Sequence, residues 1–240
     1  MSLLRALILV PLALVAGCGE LAPTGPERGL PTSIAIDETA RPPEVTGNVF
    51  AFTIDRARRP YRSVAVSGQQ WELGNAYMAG FEFRVDPALR ASRGGLSVAH
   101  IIDAETGRVL YDLEVDGRRG VTFLGRTCQA PEDFGEWQRM TIRTRLAADG
   151  TGYLEMRCGI GPLTAQPVVF ARSDVPTARG GACLSDPARC DRAAPARAFQ
   201  WQTGILADSA AAIPGGGATV EIRRMVHRRL YVVFTRTRNL

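Results

Sequence analysis

Apolar and polar residues alternate along most of this chain, and a period of two is what a strand buried on one face requires. Phe81, Phe83 and Val85 are interleaved with Glu82 and Arg84. Met140, Ile142, Thr144 and Leu146 are interleaved with Arg139, Thr141, Arg143 and Arg145. Leu154, Met156 and Cys158 alternate with Tyr153, Glu155 and Arg157. Between the last two segments lies Ala148-Asp149-Gly150-Thr151-Gly152, rich in residues that tolerate positive φ, so the pair is expected to form a hairpin. Ala104-Glu105-Thr106-Gly107 reads as a second hairpin turn. Further strands are expected at 49–54, 63–66, 96–103, 109–115, 121–125, 168–171, 199–206, 220–226 and 230–236. No window of a dozen residues carries a strong helical period. Many short strands joined by polar turns predict an all-β fold of two antiparallel sheets, a sandwich or a jelly roll.

A hydrophobic content of 45% is enough for a real core in one domain. All 29 basic residues are arginine, and the formal net charge is +5. Arginine's planar fork grips carboxylate, sulfate or phosphate, so an acidic partner suits this composition; a plain preference for arginine at every cationic position explains it equally. The arginines are dispersed and form no compact basic arm, which argues against nucleic acid.

The first 17 residues read as a targeting segment, with Arg5 before an apolar run from Ala6 to Val15. That run is too short for a stable membrane-spanning helix. It ends in Val15-Ala16-Gly17-Cys18, which resembles the bacterial lipobox. The resemblance implies acylation of the Cys18 thiol, cleavage before it, and a cell-envelope protein held on the membrane by its lipid, with Gly19 leaning toward the outer membrane. Residues 18–45 are rich in proline (Pro23, Pro26, Pro31, Pro42, Pro43) and read as a tether. The folded domain is expected over 46–240, with a long loop at 172–198.

Removing Cys18 from the five cysteines leaves four, an even number for an oxidising compartment. Cys183 and Cys190 bracket a short segment that suits a local disulfide, and Cys128 and Cys158 then pair by exclusion. Three connectivities are possible, and this one is preferred. Zinc would need C-x-x-C spacing or clustered histidines, and the sequence has neither.

Several segments, in order, resemble the concanavalin A-like polysaccharide lyases, alginate and heparin lyases among them. Gly135-Glu136-Trp137 leading into Arg139–Ile142, then the Asp149-Gly150 turn and Tyr153-Leu154-Glu155-Met156, resemble that group's tryptophan-bearing hairpin. Gln200-Trp201-Gln202-Thr203-Gly204-Ile205-Leu206 resembles its Y-F-K-A-G-[VI]-Y strand. Ser97-Val98-Ala99-His100-Ile101 sits where the group carries Q-[IV]-H, and Arg62-Ser63 where it carries R-[ST]-E. The likeness covers residues 48–236. It implies a concanavalin-like jelly roll and a site for β-elimination on a uronate polysaccharide, which needs a base, an acid and a neutraliser for the substrate carboxylate. Carried over, His100 is the base and Arg62 the neutraliser. The family's tyrosines fall on Gln200 and Leu206, its lysine on Gln202 and its glutamine on Val98, while Val64 replaces its glutamate. Gln200 and Gln202 become substrate-binding candidates. A displaced tyrosine, Tyr77, Tyr111, Tyr153 or Tyr231, could supply the acid.

Each of these residues has a plainer reading beside the functional one. His100 lies in an apolar strand and can be a buried structural histidine. His227, between arginine pairs, reads as a solvated loop residue near a turn. Arg139, Arg143 and Arg145 share one strand face; they form either a ladder for an anionic glycan or cross-strand pairs with Glu155 and other acids. Trp71 is the surface candidate for sugar stacking, and Trp137 and Trp201 are expected in the core. Glu132, Asp133 and Glu136 could hold calcium or be a solvated loop; no other cofactor is implied. No G-x-S-x-G, P-loop, G-x-G-x-x-G or H-E-x-x-H motif is present. The expectation is an envelope-anchored, lyase-like domain that binds an anionic polysaccharide with its active site degraded. An active lyase and a purely structural envelope lipoprotein are the alternatives.

Overall fold

The computed structural model describes residues 34–37, 39–162, 165–185, 190 and 194–230. Cys18, the targeting segment, Tyr231 and most of the expected strand at 230–236 lie outside the described residues.

The described chain forms β1 (Ile34–Ile36), β2 (Glu44–Thr46), β3 (Val49–Ile54), β4 (Arg62–Ser67), β5 (Trp71–Glu72), β6 (Ala76–Val85), β7 (Leu96–Asp103) and β8 (Val109–Asp116). It continues through β9 (Gly120–Phe123), β10 (Arg126–Gln129), β11 (Gln138–Arg145), β12 (Gly152–Gly159), β13 (Val168–Val175), the short helix α1 (Gly181–Ser185), β14 (Ala198–Ala207) and β15 (Ala218–Leu230). The front sheet runs β1-β4-β14-β7-β8-β9-β10, with β5 also on β14; the back sheet runs β13-β12-β11-β6-β15-β3-β2. Every strand pair is antiparallel. This is the predicted two-sheet jelly-roll sandwich, and the two predicted hairpins are β11–β12 and β7–β8.

The alternation decides which side chains fill the space between the sheets. Phe81, Phe83, Met140, Ile142, Leu154 and Met156 come from the back sheet, and Ile101, Tyr111, Leu113, Phe199 and Trp201 from the front. Cys128 on β10 bonds Cys158 on β12, so this disulfide ties one sheet to the other. Cys183 bonds Cys190 within one surface excursion.

Two of the shifts in strand register fall on the strands that carry the histidines. On β7 the pairing with β8 slips between Ser97 and Ala99. Val98 packs in the core, while Ser97 comes onto the outer face, where its Oγ donates to Asp112 Oδ2 at 3.4 Å. On β15 the register with β6 slips between Arg223 and Val226, with Arg224 at φ 52°. Downstream phase is thereby inverted, and His227 turns between the sheets. Gly204 on β14 sits at φ 142°, and a Cβ there would lie 2.2 Å from the Ser63 carbonyl oxygen; only glycine lets β14 approach β4 so closely.

Several expectations are corrected. Residues 220–226 and His227 belong to one long strand, with no turn at the arginine pairs. His227 is buried and accepts a hydrogen bond from Trp71 Nε1–H. Trp71 is fully buried, stacked on Tyr77 at 4.8 Å, and is no surface platform. Trp201 is buried as expected, but Trp137 is half-exposed, its ring covered by the guanidinium groups of Arg84 at 5.1 Å and Arg223 at 4.0 Å. The end of the expected tether takes part in the fold, since Ile34 is buried on β4 as part of β1. The expected loop at 172–198 holds the end of β13 and α1, and is pinned by Thr177, whose carbonyl accepts from Tyr111 Oη at 2.6 Å.

Candidate functional site

On the outer face of the front sheet, β4, β14, β7 and β8 place Val66, Gln202, His100 and Asp112 in one row across the strands. Gln200 sits one step further along β14, and its Oε1 accepts from Gln202 Nε2 at 3.3 Å. His100, Gln200 and Gln202, predicted separately, are therefore neighbours. Asp112 and Ser97 join them and were not singled out from sequence. The Tyr111-Asp112-Leu113-Glu114 alternation signals that Asp112 faces away from the core; nothing in the sequence marks the bulge that brings Ser97 beside it.

The electrostatics of this row do not favour proton abstraction. His100 is only 1% exposed, and neither ring nitrogen has a hydrogen-bond partner. Burial lowers its pKa to about 4, so the ring is neutral near pH 7. A neutral imidazole has the protonation state of a base, but a base must come within hydrogen-bond reach of the proton it takes. Asp112 is pushed above the usual carboxylate range by burial and by the nearby charge of Glu114, the Ser97 hydrogen bond opposing the shift.

Arg62 lies on β4 four residues from Val66, roughly 13 Å along the strand from the His100 row. Its guanidinium is engaged by Asp37 and by Thr39. It lines a cavity of about 780 Å³ with Arg59, Tyr61, Leu206 and Asp208. Arg59 stands 5.4 Å over the Tyr61 ring. Tyr61 and Arg59 are thus cavity residues that the sequence reading passed over. Their only sequence signal is their place beside the Arg62-Ser63 motif.

Among the described residues, none of the proposed proton donors reaches His100. Tyr77 and Tyr111 are in the core between the sheets. Burial pushes the Tyr111 phenol far above its ordinary range. Tyr153 pairs with Arg145 on the back sheet.

Arg139, Arg143 and Arg145 also lie on the back sheet, on strand β11, and so on the opposite side of the sandwich from His100. His100 and these three arginines therefore share no face. Arg143 lies 3.7 Å from Glu155, the cross-strand pairing anticipated as the alternative. Among the described residues no group of three or more His, Cys, Asp or Glu side chains could hold a metal ion, Glu132, Asp133 and Glu136 included.

Solved structures with the same architecture include an endo-β-1,4-glucuronan lyase from the fungus Trichoderma reesei, 15% identical, with 83% of this chain and 88% of that one covered and a TM-score of 0.52. Its fold is the two-sheet jelly roll described above. An alginate lyase from Corynebacterium sp. shares the lyase fold at 7% identity, with 76% and 78% covered and a TM-score of 0.52. An alginate lyase of polysaccharide lyase family 7 does so at 10% identity, 77% and 79% covered and a TM-score of 0.50. No protein-family model and no curated protein sequence matches the chain. At these identities the likeness concerns the lyase fold alone.

Proposed function

We propose that this lyase-fold protein is a glycan-binding domain of the bacterial cell envelope that no longer performs β-elimination, and that its partner is an anionic polysaccharide. One observation carries the loss of chemistry: His100 is sealed in the front sheet beside Asp112, with neither nitrogen engaged. The other two requirements fail with it. Arg62, which would neutralise a uronate, is neutralised by Asp37. No described tyrosine joins His100 on the outer row. Half-buried Gln200, bonded to Gln202, offers a polar group to sugar hydroxyls, and the open pocket at Arg59, Tyr61 and Arg62 extends that face. Anchorage through an acylated Cys18 completes the reading, placing the domain on the outer membrane, at its periplasmic or surface face.

A glycan array probed with the full chain tests the proposal, run beside an ultraviolet assay for unsaturated uronate on alginate, glucuronan and heparin. Glycan binding with no ultraviolet product is expected. Product formation abolished by His100→Ala would make the protein a working lyase. Silence in both assays would leave a structural envelope protein.

A further inference from the structure

The outer face of the back sheet carries cations that its carboxylates do not balance. Glu82 is shared by Arg223 at 2.8 Å and Arg224 at 2.9 Å. Glu155 is shared by Arg157 at 2.9 Å and Arg143 at 3.7 Å. Glu221 holds Arg84. One carboxylate cancels one guanidinium, so the Glu82 and Glu155 clusters each keep a full positive charge. Arg139 adds another beside the first cluster, because it stands directly opposite Glu82, whose oxygens are already taken.

The same ion pairs fix Arg143, Arg157, Arg223 and Arg224 in place. Trp137 lies against the guanidinium groups of Arg84 and Arg223, which holds both flat on the sheet. A charged group held in position loses less side-chain entropy when it binds. Arg224 projects furthest, at 61% exposure. Its position follows from the β15 bulge, which holds it at φ 52°. The two charge clusters are set apart by the β11 spacing between Arg139 and Arg143, four residues and roughly 13 Å.

We propose that this face is a second binding surface, separate from the front-sheet cleft, and that it docks a linear polysaccharide bearing carboxylate or sulfate groups. It rests on the preceding proposal for the acidic polysaccharide and adds a contact for such a polymer on the opposite side of the sandwich. Spaced, pre-positioned guanidinium forks suit anionic groups repeated along a chain. A lipid surface is less well served, because a peripheral membrane site also presents apolar anchors. Trp137 is covered by its two arginines, and the exposed large apolar side chains of this face, Val226 on β15 and Val168 on β13, stand apart with β12, β11 and β6 between their strands.

The test compares three forms of the full chain on immobilised heparin and against alginate oligosaccharides in solution: wild type, Arg139→Gln/Arg143→Gln/Arg224→Gln, and Gln200→Ala/Gln202→Ala. The triple variant leaves Glu82 with Arg223 and Glu155 with Arg157, so no carboxylate is stranded; a matching melting temperature verifies folding. Elution of the triple variant at lower salt, with affinity at least tenfold weaker, is expected, while the glutamine variant, changed on the front-sheet floor, elutes with wild type from heparin and loses affinity for the oligosaccharides by a smaller factor than the triple variant. Unchanged binding by the triple variant overturns the assignment, as does loss confined to the glutamine variant, which would place the polymer in the cleft. Binding to anionic vesicles without binding to either polysaccharide would make the face a membrane surface. Absence of glycan binding by every form would instead remove the preceding proposal.

Discussion

His100 on β7 and Asp112 on β8 stand directly opposite each other on the outer face of the front sheet, and no hydrogen bond joins them. Burial presses each toward its uncharged form, the imidazole downward and the carboxyl upward. The pair costs the fold stability and supplies no base–acid relay, so its consequences should be read in stability as well as in activity.

Replacing Asp112 by Asn should stabilise the protein at neutral pH. The folded carboxyl titrates above its ordinary value, so ionising it near pH 7 opposes folding, and asparagine removes that penalty while keeping an acceptor for Ser97. The gain is read as a higher melting temperature, each 1 kcal/mol being worth about 2–4 °C in a chain of this size. The gap between variant and wild type should close as pH falls through the carboxylate range. Thermal melts at a series of pH values check both statements.

The histidines act in the opposite direction. His100 and His227 are both held at about 4 by burial, against 6.5 for a free imidazole. Between those values the unfolded chain binds more protons than the folded one, so stability falls as pH drops from 6.5 toward 4 and is fully present above 6.5. Each pKa unit is worth ~1.4 kcal/mol, so each imidazole contributes on the order of 3 kcal/mol of acid sensitivity. Urea midpoints measured across this window should decline, and the decline should shrink in His227→Gln.

Trp71 should behave as a core residue. It is stacked on Tyr77 and hydrogen-bonded to His227, so Trp71→Ala should cost about 3–5 kcal/mol. Trp71→Phe, which removes the indole N–H, should cost about 1–3 kcal/mol and leave glycan binding intact in the folded fraction. Denaturant titration gives the costs, and affinity measured at low temperature gives the binding.

The two disulfides should rank by the length of chain they close. Cys128–Cys158 spans 30 residues and joins the sheets, whereas Cys183–Cys190 spans 7 within one excursion. Loss of the longer bridge should cost roughly 3–4 kcal/mol and loss of the shorter one less. Melting temperatures of the paired Cys→Ala variants order them directly.

Much of the sandwich was legible because one-face burial prints itself on the sequence. The hairpin at Asp149-Gly150 and the strands at 49–54, 96–103 and 109–116 follow from alternation and turn chemistry. Which strands share a sheet was not legible: β11 and β7 alternate in the same way, yet they lie in opposite sheets, and that parted Arg139 from His100. Bulges were invisible for the same reason. An extra residue at Val98 or at Arg224 leaves composition unchanged but reverses the facing of what lies beside or beyond it. His227 and Ser97 were therefore misplaced or missed. Trp71 lies on a strand of only two residues, too short to show any period.

The account stands on the sealing of His100, and turnover of uronate polymers measures it most directly. Concentrated protein incubated with alginate and with glucuronan across neutral and alkaline pH should generate no unsaturated uronate above a protein-free control, for wild type and His100→Ala alike. Steady production of unsaturated ends by wild type, lost in His100→Ala at unchanged melting temperature, would contradict it.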